Sequence, residues 1–165
     1  DMSTLFVDTI NEKTSGNGVQ IPGHIIQAVT TQNITAPAAM SSSSFAATGV
    51  KVAITPTSTS SKILVTYTSS MNIQAATAWV DVTLYRDGST NLAFTDSTNA
   101  DAFNGCYNQG STDTHVPCVG IVLDSPATTS EVEYEIYFRS RNNSSQCRFN
   151  PDKFTNSMTA MEISG

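Results

Sequence analysis

Three features of this sequence predict an all-β chain, folded as an antiparallel jelly-roll-like β-sandwich behind an extended N-terminal arm. Apolar residues recur at every second position in one segment after another, and Gly, Pro, Asp and Asn punctuate those segments at short, regular intervals. No stretch repeats apolar residues at the helical period between recognisable caps. Ser and Thr fill about a quarter of the positions and β-branched residues abound, a composition that suits pleated strands and makes poor helix.

The elements follow in chain order. Residues 1–24 form the Gly-rich arm, and the head domain spans residues 25–165. The first strand is expected at 25–32, followed by a polar loop or irregular edge. Val50, Val52 and Ile54 share one face of a strand over 45–54, which Pro56 ends by removing a backbone donor. Residues 62–70 alternate again. Over 78–86, Ala78, Val80, Val82 and Leu84 face one way, and Trp79, Asp81, Thr83 and Tyr85 face the other. Asp87-Gly88 makes a tight hairpin turn leading to a short strand at 91–95. The continuous apolar run at 118–123, CVGIVL, reads as a central strand. Val132, Tyr134, Ile136 and Phe138 point inward along 131–139, opposite Glu131, Glu133, Glu135 and Tyr137, and strands at 146–149 and 157–163 complete the set.

Composition narrows the function. The chain has 165 residues, enough for one domain with its own core. Only 13% of residues are charged and the net charge is -6, with basic residues scattered except for Arg139, Arg141 and Arg148. Such a chain does not suit nucleic acid, whose phosphates call for clustered Lys and Arg. No apolar run is long enough for a membrane span, and no segment reads as a signal peptide. A β-protein poor in charge must protect its strand edges by closing the sheet or by burying them in an oligomer.

The sequence reads as a non-enzyme. It lacks the nucleophile elbow, HExxH, the P-loop and GxGxxG, and its two histidines, His24 and His115, lie in expected loops. Asp96, Asp101 and Asp113 gather around one long loop without calcium-loop spacing, so neither a metal nor a cofactor is expected. Cys106, Cys118 and Cys147 fit reduced structural thiols, a Cys106–Cys118 bridge or, less readily, a metal role. Asn33-Ile-Thr and Asn142-Asn-Ser match the glycosylation sequon, which matters only in a secretory pathway.

Two places point to binding. The stretch from Asp96 to Pro117 is the longest expected loop, and loops of that length are commonly functional. Asp101, Phe103, Asn104, Tyr107 and Asn108 combine amphipathic rings with amide and carboxylate hydrogen bonders, as protein and sugar recognition both do. The alternative is that Phe103 and Tyr107 pin the loop onto the core or a neighbouring chain. Trp79, Tyr85 and Tyr137 fall on outward faces, where they read either as a subunit interface or as exposed aromatics.

The lead FVDTINEKTSGNGVQIPGHIIQ resembles a segment of tail-fibre and other appendage proteins of tailed bacteriophages, notably those of cyanobacteria and marine bacteria. VAITPTSTSSKILVTYT, VTLYRDGSTNL and the closing SSQCRFNPDKFTNSMTAMEIS are similar to later parts of the same family, so the resemblance spans nearly the whole chain. It implies a homotrimer of jelly-roll heads without cofactor or catalytic set, part of a virion made in the bacterial host cytoplasm. The head would bind a host surface glycan or protein through loops led by residues 96–117, and the arm would join other virion proteins. The alternative within the family is a capsid decoration, cement or head-fibre protein docked through residues 1–24.

Overall fold

A computed structural model describes residues 23–74, 77–93, 101–109, 114–141 and 146–165. The expected arm therefore lies outside the described residues except at Gly23 and His24. The strands are β1 (Ile25–Asn33), β2 (Ala46–Ile54), β3 (Lys62–Ile73), β4 (Ala78–Arg86), β5 (Thr90–Asn91), β6 (Asn104–Asn108), β7 (Thr114–Asp124), β8 (Val132–Ser140), β9 (Cys147–Phe149) and β10 (Asn156–Ile163).

These strands form two antiparallel sheets. The first runs β1-β10-β3-β7, with β9 beside the far end of β3, and the second runs β2-β8-β4-β5, with β6 sharing the same edge of β4. β9 and β10 together occupy one edge of β3, just as β5 and β6 occupy one edge of β4. Successive strands thus cross between the sheets in the order of a jelly roll, as the fold class predicts.

The core is made by the inward residues that alternation predicts. Val50, Val52 and Ile54, Val80, Val82 and Leu84, and Val132, Tyr134, Ile136 and Phe138 are all buried, and they meet Ile63, Val65, Tyr67, Met158 and Phe149 from the opposite sheet. The Asp87-Gly88 turn takes left-handed φ at both residues (51° and 65°), as a primed hairpin turn requires. Asp87 Oδ1 also accepts a hydrogen bond from the Glu133 amide at 2.9 Å, which ties the hairpin to β8.

Polar side chains close both ends of the sandwich. Near the start of β1, Asp124 accepts two bonds from Arg86 Nη1 (2.8 and 3.0 Å) and one from the Tyr134 hydroxyl (2.8 Å), joining β7 to the opposite sheet. At the same end Glu162 is fully buried. Burial favours its protonated form, but bonds from Gln27 Nε2 (2.6 Å) and from the Thr57 amide and hydroxyl (2.7 and 2.8 Å) outweigh this and hold its carboxyl below the usual range. At the far end, buried Asn150 and Asn156 both donate to the Thr35 carbonyl, at 3.1 and 2.9 Å.

Three expectations change. The long loop is interrupted by β6, and β7 begins at Thr114, so His115 sits on a strand and not in a loop. Gly105 and the Asn residues conceal β6 from a pattern reading, because its strand character comes from pairing with β4. The run at 118–123 lies on an edge strand, since among the described residues β7 pairs only with β3. The strand expected at 91–95 is described only over Thr90–Asn91. Asn91 Oδ1 accepts from the Thr83 hydroxyl (2.6 Å) and from the Ala93 amide (3.1 Å), so it takes up a backbone donor that a continuing strand would use, and residues 94–95 lie outside the described residues.

Candidate binding surfaces

The two outer faces of the sandwich are covered in different ways. On the β2-β8-β4-β6 side, strand register pairs Trp79 of β4 with Tyr107 of β6, and Arg141, just past the end of β8, donates its amide to the Trp79 carbonyl at 3.2 Å. The Trp79 and Tyr107 rings stack at 4.6 Å, and the Arg141 guanidinium lies 4.6 Å from the Trp79 ring centre. In the next row Asp81, fully buried, accepts from Arg139 Nε (3.0 Å), Arg141 Nε (2.9 Å) and Arg141 Nη2 (2.6 Å). That hydrogen bonding holds Arg141 charged beyond even the usual guanidinium range. Arg139 also binds Asp101 at 2.6 Å and covers the Phe45 ring at 4.3 Å. Tyr85 and Tyr137 pack at 4.3 Å, with Phe45 edge-on to Tyr85 at 6.2 Å. Gly105 leaves room for this network, because a Cβ there would stand 3.1 Å from Asp81 Oδ1.

The residues read from sequence as two separate groups are thus brought together in part. Tyr107 and Asp101 join Trp79 on one face, where Tyr107 is 38% exposed, and Tyr85 and Tyr137 lie further along it. The others turn away from this face. Phe103 packs against the core, Asn108 is buried, and Asn104 donates to the Tyr67 hydroxyl (3.1 Å) and the Val119 carbonyl (2.6 Å). Asp96 and Asp113 lie outside the described residues. Sequence reasoning passed over Asp81, Arg139 and Arg141 as a unit, although the clustering of the two arginines and the outward register of Asp81 were both visible.

The β1-β10-β3-β7 face is built of short and apolar side chains. Its rows read Leu123-Leu64-Met161-Ala28, Ile121-Thr66-Thr159-Thr30 and Val119-Thr68-Ser157-Gln32, with no charged residue among them. Val119, Ile121 and Leu123 are 55%, 67% and 54% exposed, while their strand neighbours Cys118 and Val122 are buried. A shallow depression runs along β3 and β7 past Val119 and Ile121 toward Pro117 and the exposed Phe154.

No group of His, Cys, Asp and Glu suited to a metal ion occurs among the described residues. All three cysteines are free thiols, and burial pushes Cys118 and Cys147 up to about 12, which makes them inert. His115 Nδ1 lies 3.0 Å from Asp152 Oδ2 in a half-exposed pair. Asn33 of the first sequon is engaged, its Oδ1 accepting from the Thr35 amide and from Asn156 Nδ2. No helix among the described residues is long and apolar enough to cross a membrane. Comparison with protein-family models and with curated proteins finds no match.

Proposed function

We propose that this chain is the head domain of a homotrimeric virion appendage, a tail fibre of the phage type that its sequence resembles, which presents a surface to the host cell and catalyses no reaction. The observation that carries the self-association is the outer face of β7. Three aliphatic side chains stand at least half exposed beside rows of that sheet face that carry no charge, with Lys62 at the end of the same face, and an apolar patch of this kind marks an interface. A second copy is the fitting occupant. Copies that each carry a net charge of -6 repel one another, and they approach most closely where neither brings charge. The aromatics Trp79, Tyr85 and Tyr137, weighed from sequence as the interface, already pack on rings or guanidinium groups of their own chain. This supports assigning contact between copies to the β7 side and leaving the aromatic face outward.

Light scattering of the purified protein tests the reading. The wild type is expected at the mass of three chains, and the variant carrying Val119→Lys and Ile121→Lys at the mass of one with its β-sheet circular dichroism retained. A wild type that remains monomeric at high micromolar concentration, or a double variant that stays trimeric, overturns the assignment.

A further inference from the structure

We infer that the end of the sandwich opposite Gly23 carries an anion-binding pocket in which Arg148 and Lys153 hold the charged group of an acidic saccharide. The argument begins with scarcity. The chain has 8 Lys and Arg against 14 Asp and Glu, so its cations should find carboxylates easily. Most of those described do. Lys51 pairs with Glu133, Arg86 with Asp124, Arg139 with Asp81 and Asp101, and Arg141 with Asp81. Arg148 and Lys153 form no ion pair among the described residues, yet both line one depression of about 300 Å³, beside Ala36, Pro37, Ala39 and Pro151. The acid next to Lys153, Asp152, is directed instead to His115 at 3.0 Å.

The pocket is held rigidly from beneath. Its two walls are the loop after β1 and the turn after β9. Buried Asn150 donates to the Thr35 carbonyl of the first wall and to the Phe154 carbonyl of the second (2.8 Å), and the hydroxyl of Ser70 donates to its Oδ1 (3.2 Å). Asn156, also buried, donates to the same Thr35 carbonyl and to Asn33 Oδ1 (2.9 Å), fixing the two loops to each other. The turn is closed by the Lys153 amide donating to the Asn150 carbonyl at 3.1 Å, with Pro151 at the position where its fixed φ suits a turn. Arg148 stands between buried Cys147 and Phe149 on β9, so its stem cannot turn inward. The preformed frame removes the cost of ordering the loops, so the ordering left to binding is that of the Arg148 and Lys153 side chains.

The chemistry of the lining selects the ligand. A guanidinium offers a planar fork of donors matched to a carboxylate or a phosphate, and an ammonium adds a compact second charge. The Pro and Ala walls offer apolar contact to the C–H face of a sugar ring, and the volume lies at the small end of ligand pockets, suited to one residue of a chain. Gly23, where the described head begins, bonds to Ser164 at the other end of the sandwich, so this pocket is at the end away from Gly23. The choice of a saccharide rests on the proposed host-surface role, whereas the anion pocket rests on the geometry alone.

Calorimetric titration of the full chain with a trimer of galacturonic acid, with neutral galactotriose and with inorganic phosphate tests the inference. Binding of the acidic trimer, competition by phosphate and no binding of the neutral trimer are expected. The affinity should fall by about tenfold or more in the Arg148→Gln, Lys153→Gln double variant, and should weaken with salt. Lys62→Gln, which removes an exposed lysine at the opposite end, should leave it unchanged. Equal affinity of wild type and double variant overturns the pocket, and binding of phosphate without the acidic trimer overturns the saccharide assignment. A change in oligomeric mass in the double variant also overturns the pocket, by showing that the cations face a second copy. A monomeric wild type that still binds the trimer retains the pocket while refuting the trimeric head.

Discussion

Gly120 on β7 tests how Tyr67, its register partner on the neighbouring strand β3, packs against the edge strand. A Cβ built there would lie 2.3–2.5 Å from Cζ, Cε1 and Oη of Tyr67, against an ordinary carbon contact of roughly 3.5–4.0 Å. The ring has nowhere to go. Tyr67 is 2% exposed, and its hydroxyl accepts a bond from Asn104 at 3.1 Å. Gly120→Ala should gain about 0.4–1 kcal/mol by restricting the unfolded chain. Against this stand overpacking, at about 1–3 kcal/mol, and loss of the Tyr67 hydrogen bond, at about 1 kcal/mol. The clash wins, leaving a net destabilisation of about 1–3 kcal/mol and a melting temperature lower by roughly 3–9 °C for a chain of this size. Thermal and urea unfolding at fixed protein concentration measure it, since association would otherwise shift the midpoint. Tyr67→Leu leaves space that an alanine methyl can use, so the Gly120→Ala, Tyr67→Leu pair should be less destabilised than the sum of its single changes by about 1 kcal/mol or more. A neutral Gly120→Ala, or strict additivity with Tyr67→Leu, refutes the packing of Tyr67 beneath β7.

The remaining predictions concern buried polar groups and thiols. Because the folded Glu162 carboxyl sits below its ordinary value of 4.5, it stabilises the fold above that pH and loses the contribution as pH falls through its lowered folded value. Glu162→Gln should therefore be less stable at pH 7 and show a shallower acid limb in a plot of unfolding free energy against pH. Asp124→Asn leaves Arg86 without its carboxylate and should cost about 2–4 kcal/mol in urea unfolding, with Tyr134→Phe costing about 1–2 kcal/mol. A thiol reagent at pH 8 should modify no more than partly exposed Cys106 in the native protein and all 3 cysteines in denaturant, and a reductant should leave the melting temperature unchanged.

The fold was legible wherever one face of a strand is buried and the other is not. There the period of two exposes the inner face directly, as in Val50-Val52-Ile54 and Val132-Tyr134-Ile136-Phe138. The Asp-Gly turn was legible because few dipeptides tolerate two left-handed residues in succession. β6 was not, since a short strand of Asn, Gly, Cys and Tyr is specified by its partner and not by its own pattern. The site was legible by residue and not by grouping. The outward direction of Trp79 follows from alternation, but its stacking on Tyr107 and its link to Arg141 depend on β6 and β8 lying on either side of β4, which is long-range information.

The misreading of β7 bears most on function. A continuous apolar run predicts a strand covered on both faces, and among the described residues only one face is covered. β8 instead places Glu133, Glu135 and Tyr137 opposite its buried face, where β7 places Val119, Ile121 and Leu123. The edge of β7 is also partly blunted from within, because Asn104 caps the Val119 carbonyl in the middle of the strand. Pairing of β7 with a second β7, edge to edge, would have to displace that bond, whereas packing of outer faces would not. The proposed association would therefore run through side chains of the sheet face. That mode of assembly also leaves open the end where Arg148 and Lys153 stand.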